Sequence, residues 1–263
     1  MDLHLEDTAA LTIASSGGLG KASAKALARE GANVLINGRD EAKLESARDE
    51  IAEVADGEVI AQSGDLTEPG VPAALVETTV DEFGGLDHLV TSGGGPPRLD
   101  FGDTTDEHWY DAYDMLVMPV VRSAQAAEPH LKAGDGGSIV AITSKIIKEA
   151  TTANVLSSSV RMTVAGIMKV LSEAWGPDVR ANTVMPAGYE SPRVYNHFDT
   201  LIEEGVIDDY DEGRAMRAES IPADRLGDTM ELGDTVAYLC SDRAGYISGD
   251  AMFIDGGAHA STL

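Results

Sequence analysis

Ala14-Ser15-Ser16-Gly17-Gly18-Leu19-Gly20 joins a short apolar run, Leu11-Thr12-Ile13, to a helical pattern that continues to about Glu30. Gly18 and Gly20 let the backbone of such a turn approach a phosphate and let the helix pack on the strand. The N-terminus of the helix offers its unpaired N–H groups to the anion. A glycine-rich turn at this place, between the first strand and the first helix, is the arrangement of a dinucleotide pyrophosphate site. It assigns Ala14, Ser15, Ser16, Gly18, Leu19 and Gly20 to the cofactor.

The same alternation continues outward from this turn. Gly31 closes the first helix and Asn33-Val34-Leu35-Ile36 is a second strand. Asp40 caps a polar helix that runs to about Val54. Further strands are expected at Glu58 to Gln62, His88 to Val90, Ser138 to Ile142, Val179 to Val184 and Ala251 to Ile254. Helical patterns lie between them, at Val71 to Phe83, Asp106 to Leu131, Ala153 to Trp175 and Thr229 to Ser241. Pro119 and Pro129 must kink or end the long one. Strands alternating with helices predict βαβ units, hence an α/β chain with one Rossmann-type, doubly wound parallel sheet of about seven strands. No linker divides residues 1–263, so a single domain is expected, with a helical lid at about 189–220.

With these landmarks on the page, the chain resembles the short-chain dehydrogenase/reductase family. That family carries T-G-x-x-x-G-x-G at the first turn, and this chain has Ile13-Ala14-x-x-x-Gly18-x-Gly20, with Ala14 in place of the first glycine. The family's adenine-contacting aspartate matches Asp65, followed by Leu66. Its N-N-A-G after the fourth strand becomes Thr91-Ser92-Gly93-Gly94. Its loop after the sixth strand matches Pro186-Ala187, with Ser191 beyond, and its V-D-G-G appears as Ile254-Asp255-Gly256-Gly257. The resemblance therefore implies a nicotinamide dinucleotide held by Asp65, Leu66, Ser92, Gly93, Gly94, Pro186, Ala187 and Ser191. An acid at the end of the second strand would bind the ribose 2′-hydroxyl of NAD; here the segment is Asn37-Gly38-Arg39. A guanidinium suits the 2′-phosphate dianion, so NADP(H) is expected over NAD(H).

The catalytic residues match less well. The family's serine after the fifth strand is Ser144, but its tyrosine position holds Ser157 and its lysine position holds Arg161. Its helical asparagine falls at Leu116. Ser-x-x-x-Arg together with the A-S-S-x-G-L-G turn is similar to an atypical branch of the family. A phenol beside a cation can exchange protons near neutral pH, whereas an aliphatic hydroxyl is a far poorer acid. Lys148 and, on the loop after the sixth strand, Tyr189 are the substitutes the sequence offers. The resemblance implies a carbonyl–alcohol oxidoreductase acting on a small molecule. A dinucleotide-binding protein without turnover and a non-redox enzyme on the same scaffold stay open. Arg98 in Gly93-Gly94-Gly95-Pro96-Pro97-Arg98 is a candidate anchor for an anionic substrate.

Composition narrows the setting. The formal net charge is −26, from 45 acidic and 19 basic residues, and the acids are scattered along the chain. Nucleic-acid binding is disfavoured electrostatically. No basic segment precedes an apolar run at the N-terminus, and no long apolar stretch stands out, so neither export nor a membrane partner is expected and the cytoplasm is the default. One cysteine, Cys240, and histidines without paired spacing suggest neither a disulfide nor a metal site. The family implies a homotetramer. The acidity points to a halophilic setting, since salt screens the self-repulsion of such a surface. The midpoint of thermal unfolding is therefore expected to rise between about 0.1 M and about 2 M KCl, a range over which the screening length shrinks severalfold. A flat or falling midpoint in scanning calorimetry would refute the halophilic reading.

Overall fold

Seven strands form one parallel sheet in the order β3-β2-β1-β4-β5-β6-β7, in a computed structural model that describes residues 1–134 and 136–262. The strands are β1 (Ala9–Thr12), β2 (Asn33–Gly38), β3 (Val59–Ser63), β4 (His88–Thr91), β5 (Gly137–Ile142), β6 (Val179–Pro186) and β7 (Ala251–Ile254). Every residue of β1, β4 and β5 is buried, as strands covered by helices on both faces require. The register sets Leu11 between Leu35 of β2 and Leu89 of β4. The strand order reverses on either side of β1, and this reversal opens a crevice at the carboxyl ends of β1 and β4.

The helices are α1 (Gly18–Arg29), α2 (Glu41–Ala52), α3 (Val71–Phe83), α4 (Asp106–Leu116), α5 (Met118–Leu131), α6 (Val155–Ala174), α7 (Pro192–Glu203), α8 (Tyr210–Ala218) and α9 (Thr229–Cys240). One face of the sheet is packed by α1, α2 and α9 through Leu27, Leu44, Leu232, Val236 and Cys240. The other is packed by α3 to α6 through Leu75, Leu116, Ala124, Val160 and Met168. Asp40 caps α2 through Lys43 N, as its position predicts. The long helical stretch breaks at Val117, two residues before Pro119, whose ring would meet the carbonyl of the preceding turn. The expected insertion folds as α7 and α8 about a small core of Phe198, Ile207, Ile221 and Leu226.

One sequence expectation is corrected. Residues Thr152–Ala174 are, by length and composition, apolar enough to cross a membrane. The reason is that α6 is apolar on two faces. Leu156, Val160, Val164 and Met168 are buried on the sheet, and Met162 and Val170 are exposed on the other side.

The first turn carries a strained residue. Ala14 has φ +51°, the left-handed region that costs an L-residue about 1–2 kcal/mol, at the position where the family pattern has glycine. It is held there by neighbours: Ala14 N donates to Asn37 Oδ1 at 3.4 Å and Ser15 N to Asn37 O at 2.7 Å. Asn37 in turn donates through Nδ2 to Gln62 O (3.1 Å) and Gly64 O (3.3 Å), so one amide joins the ends of three strands. Ala14→Gly removes the strain but loosens the unfolded chain, and its midpoint is expected at or slightly above that of the unmodified protein. Ala14→Val places a β-branched residue at positive φ and should lower the midpoint by several degrees. A valine variant as stable as the unmodified protein would show that the turn is not held in this conformation.

Candidate active site

The crevice begins where α1 meets β1. A Cβ at Gly20 would lie 2.7 Å from Ala14 O and 3.1 Å from Ser15 Cα, so only glycine lets the helix start this close to the strand. At the end of β2 a Cβ at Gly38 would lie 2.7 Å from Ser16 Cβ, so Ser16 rests on Gly38. Arg39 follows, mostly exposed, with Nη1 3.7 Å from Asp65 Oδ2. Asp65 accepts from Thr67 N (3.0 Å) and Thr67 Oγ1 (2.8 Å). The bond from Thr67 N does most to hold the carboxyl below its usual range, against some desolvation and with help from Arg39. Ser16, Arg39 and Asp65 thus meet at one end of the crevice, around Gly38. Leu66 packs inward against the apolar core. These residues fit an adenosine end with a guanidinium beside the ribose.

The other end lies over β4 to β6. Pro186 closes β6, Ala187 follows, and Ser191 stands at the N-cap position of α7 without a side-chain cap. Pro192 Cδ is 3.9 Å from where a Cβ of Gly18 would be, so the start of α7 stands above the glycine turn. After β4, Ser92 is half-buried, and Gly93 lies against Leu116, whose Cδ2 would be 3.5 Å from a Cβ there. The position at which the resemblance expects asparagine is therefore an apolar side chain packed on the loop.

Ser144 stands at the end of β5 and opens the 3-10 turn Lys145–Ile147, accepting from Ile146 N at 3.5 Å. That turn packs against α6. On α6, Ser157 and Arg161 form one unit: Arg161 Nε donates to Ser157 Oγ at 3.0 Å. Arg161 Nη2 donates to Gly94 O and, at 3.5 Å, to Gly93 O. Among the described residues the buried guanidinium has no carboxylate partner. Desolvation, and then Arg193, push it down to about 10. It remains a cation and a fixed donor near neutral pH, tying α6 to the β4 loop. Ser157 Oγ is an acceptor for it and not a free acid.

The two substitute acids fare differently. Tyr189 is engaged elsewhere: its hydroxyl donates to Ile254 O at 3.0 Å, and burial, aided by Glu231 and Asp255, raises its pKa further from neutrality. Its phenol closes the base of the α7–α8 segment instead. Lys148 is exposed, with Nζ 5.2 Å from the centroid of the Phe253 ring. Against Phe253 lies a residue that the sequence reading left without a role. The His259 ring stacks on Phe253, centroids 3.9 Å apart, and His259 Nδ1 is 3.0 Å from both carboxylate oxygens of the buried Asp255. Lys145 Nζ donates to Ala258 O at 3.1 Å, so the tail carrying His259 packs on the turn that Ser144 opens. The signal for this pair was Asp255 and His259 four residues apart after the last strand. Arg193 and Arg217, near Arg98 at the mouth of the crevice, were also missed.

Comparison with known proteins agrees with this geometry. A family model described as enoyl-(acyl carrier protein) reductase matches residues 13–259. A protein described as an uncharacterized oxidoreductase of Methylorubrum extorquens is 31% identical over 257 residues, covering 96% of this chain and 98% of its own length. The 3-oxoacyl-[acyl-carrier-protein] reductase of Vibrio cholerae is 26% identical over 98% of this chain and 99% of its own. L-Sorbose reductase of Gluconobacter frateurii, solved with NADPH and L-sorbose, superposes with a TM-score of 0.94 at 27% identity, covering 99% of this chain and 100% of that one. With a glycine turn under α1, a serine at the tip of β5 and matches that span nearly its whole length, the chain belongs to the short-chain dehydrogenase/reductase family of oxidoreductases.

Proposed function

We propose that the chain is an NADP(H)-dependent oxidoreductase that interconverts a carbonyl and an alcohol on a small molecule, with a proton donor other than tyrosine. The observation that carries this reading is the pairing of two intact ends of one crevice. Ser16, Arg39 and Asp65 meet around Gly38, where a 2′-phosphorylated ribose would sit. Ser144 stands at the tip of β5 beside the helix that holds Arg161. NADP(H), when bound, supplies or accepts the hydride. Ser144 would orient the carbonyl, and Arg161 would offer a fixed cation to the nicotinamide ribose. The proton would come from the 145–149 turn or the tail on it, that is from Lys148 or His259. A His held through Nδ1 by a buried carboxylate keeps Nε2 for exchange.

Arg161 is engaged with Ser157 and Gly94, which also suits a protein that holds dinucleotide without turnover. One set of measurements separates the readings. NADPH is expected to bind more tightly than NADH, with the preference lost in Arg39→Ala. In a panel of carbonyl compounds at high salt, Ser144→Ala should lose a large part of turnover and Ser157→Ala should keep most of it. Removing a general acid costs about 10²–10⁴-fold, so Lys148→Met or His259→Asn should show which group serves. The loss must fall in kcat and not only in cofactor affinity. Equal affinity for both cofactors would overturn the NADP assignment. Cofactor binding without any turnover would favour the non-catalytic reading.

The assembly and setting follow from the same reading. The outer face of α6 is a shallow apolar groove lined by Thr163, Gly166, Ile167, Val170 and Leu171. A second copy of α6 fits it, in keeping with a cytoplasmic homotetramer whose α6 helices pack on symmetry mates. Sedimentation at high salt is expected to give the tetramer, and Val170→Glu to give smaller species. A monomeric unmodified protein would refute this.

A further inference from the structure

Three arginines are left without a counter-charge at the mouth of the crevice. Arg98 is on the loop after β4, Arg193 is in the first turn of α7 and Arg217 is in the last turn of α8. Among the described residues none of the three guanidinium groups has a hydrogen bond or an ion pair. Elsewhere the chain pairs its guanidinium groups. Arg29, Arg48, Arg122, Arg214 and Arg225 have carboxylate partners, and Arg180 donates to three backbone carbonyls. Acids outnumber bases 45 to 19, so an unpaired cation here is the uncommon outcome and three together oppose the charge balance of the whole surface.

The three form a row that leads to the catalytic helix. The Arg193 guanidinium lies where any side chain at Gly95 would be, its Cζ 2.7 Å from a Cβ placed there. One residue back along this loop, Gly94 O accepts from Arg161. Desolvation and then the positive charge of Arg98 lower the pKa of Arg193. Arg217 is lowered by desolvation, then by Arg98 and Arg193, and His197 by desolvation, then by Arg217 and Arg98. Arg193, but neither Arg98 nor Arg217, weighs on Arg161. Arg193 thus joins the loop that holds Arg161 to the helical segment expected to cover the substrate.

Like charges held together cost free energy that an anion recovers, and guanidinium forks match carboxylate and phosphate oxygens. We infer that Arg98, Arg193 and Arg217 bind an anionic group of the substrate, so that the carbonyl compound is a carboxylate or a phosphate ester, held by this row while its reacting carbon faces Ser144. This rests on the oxidoreductase reading of the site. The cofactor pyrophosphate is the other source of such oxygens: the glycine turn would take it, and Arg193 follows Pro192, which stands over Gly18, so competition with NADPH separates the two sources.

The test uses inorganic phosphate as the probe, titrated at constant ionic strength into the protein and into its NADPH complex, with the unfolding midpoint as readout. Phosphate should raise the midpoint of both, and the Arg98→Gln/Arg217→Gln double variant should bind it at least tenfold more weakly. NADPH affinity of that variant should stay within about twofold, and its midpoint without phosphate should not fall, because it loses only repulsion. With NADPH, fructose 6-phosphate should be reduced with a higher kcat/KM than fructose, and the variant should lose that difference. Undiminished phosphate binding in the variant overturns the inference. So does phosphate that competes with NADPH together with a tenfold loss of NADPH affinity, since the row would then serve the cofactor. Phosphate binding at the row in a protein that binds no NADPH would sink the oxidoreductase reading while leaving the anion site standing.

Discussion

The approach of α1 to β1 governs the crevice. The helix begins so near the strand that Gly20 cannot carry a side chain, and the chain must turn left-handed at Ala14 to reach it. The amide of Asn37 fixes that turn by joining the ends of β1, β2 and β3. Those strand ends then place Ser16, Arg39 and Asp65 at one mouth of the crevice. The same turn sets the floor on which α7 rests through Pro192. Loosening it would move both ends of the site together.

Much of the fold was legible because its signals are local. The bounds of α3 and β7 follow from apolar periodicity and flanking glycine, and the cap at Asp40 from one side chain. The break between α4 and α5 follows from Pro119. What escaped depends on contacts between distant segments. Nothing in the sequence near Tyr189 shows that its hydroxyl is taken by Ile254 O, 65 residues away. The arginine row draws on three elements, and only Arg98 sits in a motif that invites attention. His259 finds Asp255 within one turn of chain, but its place against Phe253 and beside Lys148 comes from how the tail folds back. The two apolar faces of α6 also read differently once folded, one as core and one as open surface.

In α6 the family pattern is altered at two side chains, Ser157 and Arg161. Ser157 and Arg161 keep one face of α6 directed at the β4 loop, as the spacing predicts. A permanent cation fixed by carbonyls now stands where the family pattern has a lysine, and no phenol stands beside it. On the proposed reading the proton comes from the turn that follows β5 or from the tail packed on it. In a chain so rich in carboxylates, the positive potential of this region is local: Asp199 of α7 and Asp211 of α8 are bonded to Tyr210 and Arg214 instead of to the three arginines.

Cys240 ends α9 in the core between that helix and the sheet, 2% exposed, and burial raises its pKa to about 11. It is the only thiol in the sequence. A maleimide or disulfide reagent added to the native protein therefore has one target, and that target reacts only while α9 stands away from the sheet. The rate of labelling counts those openings, so the chain carries its own clock for the stability of the face that supports the cofactor turn.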